Sequence, residues 1–188
     1  ICHVSTKGGV RMIRDAKARG VKVTCETCPH YFTLTDDMCA TYDTNFKMHP
    51  PLRTRDHLEA IIEGIKDGTI DAIATDNAPH HADEKVCEFS VALNGILGFE
   101  TAFALGYTYL VKTGIITMER LVELLSINPR KRFGIELGCD YSVWDLEEEY
   151  TVDPEEFISL GKATPFEGWK VNGRCLATVC DGKVVYKK

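Results

Sequence analysis

The run Ile70-Asp71-Ala72-Ile73-Ala74-Thr75-Asp76-Asn77-Ala78-Pro79-His80 constrains the fold more than any other stretch of this chain. Its first half is apolar and β-branched, with no charge between Asp71 and Asp76. That pattern predicts a strand buried on both faces, as in parallel sheets. Pro79 stops the strand, which leaves Asp76 at its C-terminal end and His80 just beyond. In α/β barrels the chemistry sits at that end of the strands. A carboxylate there, with an imidazole on the departing loop, suits metal binding and proton transfer. The same residues also fit a simpler reading, in which Asp76 caps the next element and His80 is a loop residue.

The upstream sequence repeats the theme. Ile1 to Val4 reads as the end of a buried strand with His3 near its tip, and Ser5 or Thr6 can cap the helix that follows. Val10, Ile13, Ala16 and Lys17 fall at helical spacing, and Gly20 ends that helix. Val21 to Cys25 is the next predicted strand, closed by Pro29 with His30 beside it. Thr35-Asp36-Asp37 can start a short helical turn. Phe46 to His49 is a third predicted strand, ended by Pro50-Pro51. Thr54 caps an amphipathic helix carrying Leu58, Ile61, Ile62 and Ile65, and Gly68 stops it. Alternating strands and helices imply a parallel sheet with right-handed crossovers. His3, His30, His49 and Asp76 then mark four successive strand ends. One such histidine is usually a hydrogen-bonded structural residue, whereas several at one sheet edge point to metal ligands.

Further along, residues 81–94 read as a mixed-charge loop and a candidate lid. Glu100 to Val111 is an apolar helix whose aromatic stripe is core. Thr117 caps another helix, and Asn128-Pro129 opens a further turn. The last segment changes character. Tyr141 to Asp145, Trp169 to Val171, Leu176 to Cys180 and Lys183 to Tyr186 read as strands. Glu147 to Glu149 is a solvated charge run, Asp153-Pro154 starts a short helix, and Asp181-Gly182 is a hairpin turn. These strands form a small β appendage.

At 188 residues the chain can bury a sizeable core in one domain, or in one with an appendage. A net charge of -6 and the lack of a basic cluster argue against nucleic acid as a partner. No apolar run is long enough to span a membrane, and no signal peptide is visible. The eight Cys are irregularly spaced, which fits reduced thiols in the cytoplasm better than a disulfide framework. Cys25-Glu26-Thr27-Cys28 lacks the second pair that a Cys-only zinc site needs.

Cys2-His3-Val4-Ser5-Thr6, Cys28-Pro29-His30-Tyr31, Lys47-Met48-His49-Pro50-Pro51-Leu52-Arg53 and Ala74-Thr75-Asp76-Asn77-Ala78-Pro79-His80 together resemble the dihydroorotases of the amidohydrolase superfamily. The likeness continues through Gly95 to Thr101, Lys162 to Phe166 and Gly182 to Tyr186, and so covers essentially the whole chain. It implies an α/β fold: the second half of a (β/α)8 TIM-type barrel, about strands five to eight, with a small C-terminal β-subdomain. Residues 1–138 would be the barrel portion and 139–188 part of the β-sandwich subdomain. The chain opens at Ile1 without Met. By the same likeness it is expected to be an incomplete fragment, without the H-x-H metal pair, the substrate arginine and the bridging carboxylate of the first half, and inactive alone. The implied activity is reversible zinc-dependent hydrolysis of dihydroorotate to N-carbamoyl-L-aspartate in pyrimidine synthesis.

By motif, His3 and His30 resemble the ligands of the second zinc. Asp76 resembles the ligand of the first zinc and the proton carrier, so the full site would hold one or two zinc ions. His80 resembles the residue that receives the substrate carboxylate, and Asn94 and Gly95 lie where loop backbone meets the pyrimidine ring. His49 stands where the family usually binds substrate with Asn. Asn77 replaces a commoner His, and Leu93-Asn94-Gly95 replaces Pro-Phe-Gly. The implied partners are the small-molecule substrate, further copies of the same protein in a homo-oligomer, and aspartate transcarbamoylase; no nucleic acid and no membrane are expected. Two alternatives stand: another cyclic amidase of the allantoinase or dihydropyrimidinase kind, and a noncatalytic dihydroorotase-like partner of aspartate transcarbamoylase.

Overall fold

Extended segments lie side by side in chain order at the centre of the computed structural model, which describes residues 1–188. β1 (Glu26–Thr27) and β2 (Ala72–Ile73) pair in parallel, with Glu26 opposite Ala72 and Thr27 opposite Ile73. Pairing runs past both ends: Asp71 N donates to Cys25 O at 3.1 Å and Ala74 N to Thr27 O at 2.9 Å. On the other side of β1, the Ile1 ammonium donates to Thr24 O at 2.8 Å, and Ile1 O accepts from Glu26 N at 3.1 Å. That two-residue offset is the signature of parallel pairing. Beyond β2, Asn77 forms a parallel bridge with Ile96.

The expected alternation is therefore present, with two corrections. Regular pairing after the first helix begins at Glu26, not at Val21, whose side chain is 50% exposed. Phe46 to His49 is not a strand. Thr44–Phe46 forms a 3₁₀ turn capped by Asp43, which accepts from Asn45 N at 2.8 Å. Pro50 and Pro51 then remove the donors that a ladder would need, and β1 pairs directly with β2.

The crossover helices form where the sequence places them. In α1 (Lys7–Ala18), Thr6 Oγ1 accepts from Gly9 N at 3.1 Å, and Val10 and Ile13 are buried. After the short α2 (Pro29–Thr33) comes α3 (Arg55–Lys66), which buries Leu58, Ile61 and Ile65. Thr54 occupies the cap position of α3, but its hydroxyl turns to Asp56. Gly20 and Gly68 have φ of 78° and 82°, a left-handed conformation that glycine enters without strain. α1 and α3 cover one face of the row and build a core of Val10, Ile13, Ile61, Ile65, Ile70 and Ile73. Gly64 permits their close approach, since a Cβ there would lie 3.1 Å from both Ile70 and Val10.

The loop expected at 81–94 contains one helical turn, α4 (Ala82–Lys85). α5 (Ala102–Gly106) runs on as a π turn over Tyr107–Val111. α6 (Met118–Val122) likewise widens over Glu123–Ile127 before α7 (Asn128–Phe133). Leu105, Leu110, Leu121 and Leu124 are fully buried, so these apolar stripes are core as expected.

The C-terminal strands β3 (Tyr141–Thr151), β4 (Lys170–Cys180) and β5 (Lys183–Lys187) form an antiparallel sheet in that order. Two segments predicted separately merge into β4. Glu147 to Glu149 lie within β3, exposed, where the register shifts between Asp145 and Glu149. Asp181 and Gly182 turn the last hairpin with φ of 50° and 71°, as a type I′ turn requires. Phe103 stacks on Trp144 with ring centres 3.9 Å apart, tying the sheet to α5. No helix is long and apolar enough to cross a membrane.

Ile65 is fully buried in the α1–α3 core. Ile65→Ala is expected to cost about 2–5 kcal/mol. Urea unfolding should show a lower midpoint at an unchanged slope.

Candidate active site

His3 and Asp76 meet at the C-terminal end of the parallel row. His3 Nε2 lies 3.3 Å from Asp76 Oδ1. Both residues hold left-handed backbone, with φ of 53° and 49°. For side-chain-bearing residues this costs of order 1–3 kcal/mol each and concentrates at functional sites. The conformation is held on the His3 side by Glu26. Its Oε1 accepts from His3 N at 2.7 Å and lies 2.8 Å from His3 Nδ1. The Cys28 thiol is 3.4 Å from the same ring nitrogen.

His30, at the start of α2, is only 2% exposed. Its Nε2 is buried without a hydrogen-bond partner. Burial, with the nearby His3 adding to it, pushes the His30 pKa down to about 3. The ring is therefore neutral at physiological pH and offers a lone pair, the form in which imidazole binds a metal. An unpartnered buried polar atom costs about 1–3 kcal/mol, and a cation at Nε2 would remove that cost. Glu26 Oε2 is a further buried polar atom without a partner. Imidazole and carboxylate donors together suit zinc. His3, His30 and Asp76 are thus chemically fitted to hold such an ion.

Donor atoms of His3, Glu26 and Cys28 also lie within 4.8 Å of one another. Burial raises the Cys28 pKa, so this sulfur stays a protonated thiol and is a poor ligand in the metal-free chain. Glu26 Oε1 already serves the His3 backbone and ring. This trio is better described as the bracket that orients His3. Glu26 escaped the sequence reading. Its signal was a carboxylate immediately after the predicted Val21 to Cys25 strand, two residues before Cys28.

The remaining candidates form a second cluster. His80 Nε2 lies 2.8 Å from Asn94 O, and Gly95 N donates to Lys47 O at 3.0 Å. Gly95 has φ of 119°, and a Cβ there would come within 2.5 Å of the Ala78 Cβ. Only glycine fits that approach. His80, Asn94 and Gly95 are thereby brought together. His49 is not part of either cluster: it is exposed and off any strand, which corrects its expected place at a strand tip. Tyr31 holds the next residue, its hydroxyl donating to Pro50 O at 2.6 Å. Asn77 turns sideways, and its Oδ1 accepts from Gly98 N at 2.9 Å and Phe99 N at 3.3 Å.

The amidohydrolase family model matches residues 1–185. This chain belongs to the amidohydrolase family. Amidohydrolases generally act with a bound metal, which agrees with the donor chemistry above. A curated relative from Acetivibrio thermocellus named dihydroorotase is 54% identical over 195 residues, covering 100% of this chain and 46% of the relative. A dihydroorotase from Geobacter metallireducens has the same identity and coverage. The chain thus spans about half, 46%, of the length of the curated relatives it matches. Among solved structures, L-hydantoinase (dihydropyrimidinase) from Arthrobacter aurescens aligns with a TM-score of 0.92 at 32% identity, over 100% of this chain and 44% of that one. A dihydropyrimidinase from Brevibacillus agri NCHU1002 aligns at 0.92 with 24% identity over 99% and 44%, a likeness of fold alone.

His30 makes metal-free stability pH-dependent. Its folded pKa of about 3 lies below the ordinary 6.5, so between those values the unfolded chain binds a proton that the native chain refuses. Stability is fully present above pH 6.5, falls as pH drops through this window, and loses up to ~5 kcal/mol by its lower end. Urea titrations across the window should show this slope, and a His30→Asn variant should lack it.

Proposed function

We propose that the protein bearing this chain is a dihydroorotase, hydrolysing the cyclic amide of dihydroorotate to N-carbamoyl-L-aspartate and running the reverse closure. The observation that carries this reading is the meeting of His3 and Asp76 at 3.3 Å beside the unpartnered, neutral His30. The 54% identity to proteins named dihydroorotase supports the choice of substrate. In this reading the chain contributes strands five to eight of an α/β barrel in residues 1–138 and part of a β-subdomain in 139–188.

His3, His30 and Asp76 would hold zinc, one or two ions, and the metal would supply Lewis acidity toward the attacking water and the amide carbonyl. Asp76 accepts the proton of the attacking water and returns it to the ring nitrogen as the C–N bond breaks. One water is consumed, its oxygen going to the carbonyl carbon and its proton to the leaving nitrogen. Glu26 keeps the His3 ring aimed at Asp76. His80 meets the substrate carboxylate, the Asn94–Gly95 backbone faces the pyrimidine ring, and His49 stands at the rim as a further substrate contact. The protein works in the cytoplasm, in keeping with eight free cysteines. It assembles with further copies of itself and with aspartate transcarbamoylase.

A hydantoinase or dihydropyrimidinase activity is the second reading, favoured by the 32% identity and 0.92 TM-score to L-hydantoinase. Assaying the intact protein with dihydroorotate, hydantoin and dihydrouracil decides between them. Dihydroorotate is expected to be the preferred substrate; turnover confined to the other two would overturn the first reading.

Two variants test the roles. Asp76→Asn should lower turnover at least ~10³-fold with the fold intact by circular dichroism, because ligand and proton carrier are lost together. His80→Ala should raise KM for dihydroorotate about 10-fold or more with a smaller change in kcat. An unchanged KM would remove His80 from the substrate contacts.

A further inference from the structure

Lys85 ends α4 and is only 5% exposed, which is rare for a lysine. Its ammonium reaches two carbonyl oxygens and no carboxylate: Leu93 O at 3.0 Å and Gly95 O at 2.9 Å. The carbonyl between them, Asn94 O, faces His80 Nε2 at 2.8 Å. Three consecutive carbonyls are thus shared between a buried ammonium and an imidazole. A carbonyl can only accept, so His80 must carry a proton on Nε2, while its Nδ1 lies 3.5 Å from Glu84 Oε2.

The same loop is fastened from other directions. Thr44 Oγ1 donates to Lys85 O, Gly95 N donates to Lys47 O, and Lys47 Nζ donates to Ser90 O at 2.9 Å. Burial pushes the Lys85 pKa below the ordinary lysine value, with Lys47 adding to the effect. A buried ammonium is therefore retained at a cost, where an apolar side chain would fill the space without one.

We infer that Lys85 is a positioning residue of the substrate site: by drawing in the Leu93 and Gly95 carbonyls it aims Asn94 O at His80, fixing the orientation of the imidazole and the Asn94–Gly95 backbone. This rests on the dihydroorotase reading for the substrate and on the loop geometry alone for the clamp.

The test uses Lys85→Met and Lys85→Arg in the intact protein, read by two measurements. Steady-state kinetics on dihydroorotate should show KM raised at least ~10-fold in Lys85→Met with kcat within ~3-fold, and partial recovery in Lys85→Arg. Amide hydrogen exchange at Asn94 to Ile96 should quicken at least ~10-fold in Lys85→Met, with exchange in the α1–α3 core unchanged. Faster exchange with an unchanged KM overturns the positioning role. Unchanged exchange overturns the clamp. If Lys85→Met loses protection throughout, Lys85→Arg carries the test: wild-type values of both are the rescue expected when the same carbonyls meet a guanidinium donor, and quickened exchange at Asn94 to Ile96 with a wild-type KM overturns the inference. If the wild-type protein does not turn over dihydroorotate, the functional reading fails by itself, and the exchange data still decide whether the clamp exists.

Discussion

Asp71 is the point on which the arrangement of the site depends. Its carboxylate accepts from Lys17 Nζ at 2.7 Å and from Cys25 N at 2.9 Å, while its own N donates to Cys25 O at 3.1 Å. Its carbonyl accepts from Asn128 Nδ2 at 2.9 Å. One residue at the lower end of the strand thus fixes α1, the segment before β1, and α7. A parallel strand rises about 3.3 Å per residue. Once the lower register is fixed, Asp76 is delivered to the level of His3 with little freedom left. A slip by one residue would turn Asp76 to the opposite face of the sheet.

The energetics of the two ends contrast. Below, Ile61, Ile65 and Ile70 are fully buried, and the polar groups around Asp71 are paired. Above, two side-chain-bearing residues hold left-handed backbone, and His30 Nε2 and Glu26 Oε2 lack partners. Uncompensated costs of this kind persist only where surrounding structure over-determines them. The apolar half stabilises the fold, and the polar half spends part of that stability on donors facing one another.

Much of this was legible in the residues. The apolar run ending at Asp76, the helices carrying Val10, Ile13, Ile61 and Ile65, and the Asp181-Gly182 hairpin all follow from periodicity and turn chemistry, which act locally. What stayed hidden depends on contacts distant in sequence. Phe46 to Met48 has strand-like composition, but the Asp43 cap wins locally, and the segment takes a single backbone bond from Gly95 N to Lys47 O instead of a ladder. Glu147 to Glu149 reads as a surface run, yet β4 pairs with Glu149 and keeps it in a strand. Glu26 and Lys85 look like ordinary surface charges, and their roles come from His3 across 23 residues and from a loop that folds back.

The three departures from the dihydroorotase pattern gain a physical meaning from where they lie. Asn77 spends its side-chain oxygen on Gly98 and Phe99, clasping the neighbouring extended segment instead of facing His3. Leu93 is 45% exposed and contributes a carbonyl to Lys85, a contact indifferent to side-chain identity. His49 is exposed and lies off any strand. None of these positions bears on the donors His3, His30 and Asp76. The His3–Asp76 pair is held by Glu26, and the Asn94–Gly95 loop by Lys85 and Lys47, so the two clusters rest on separate contacts.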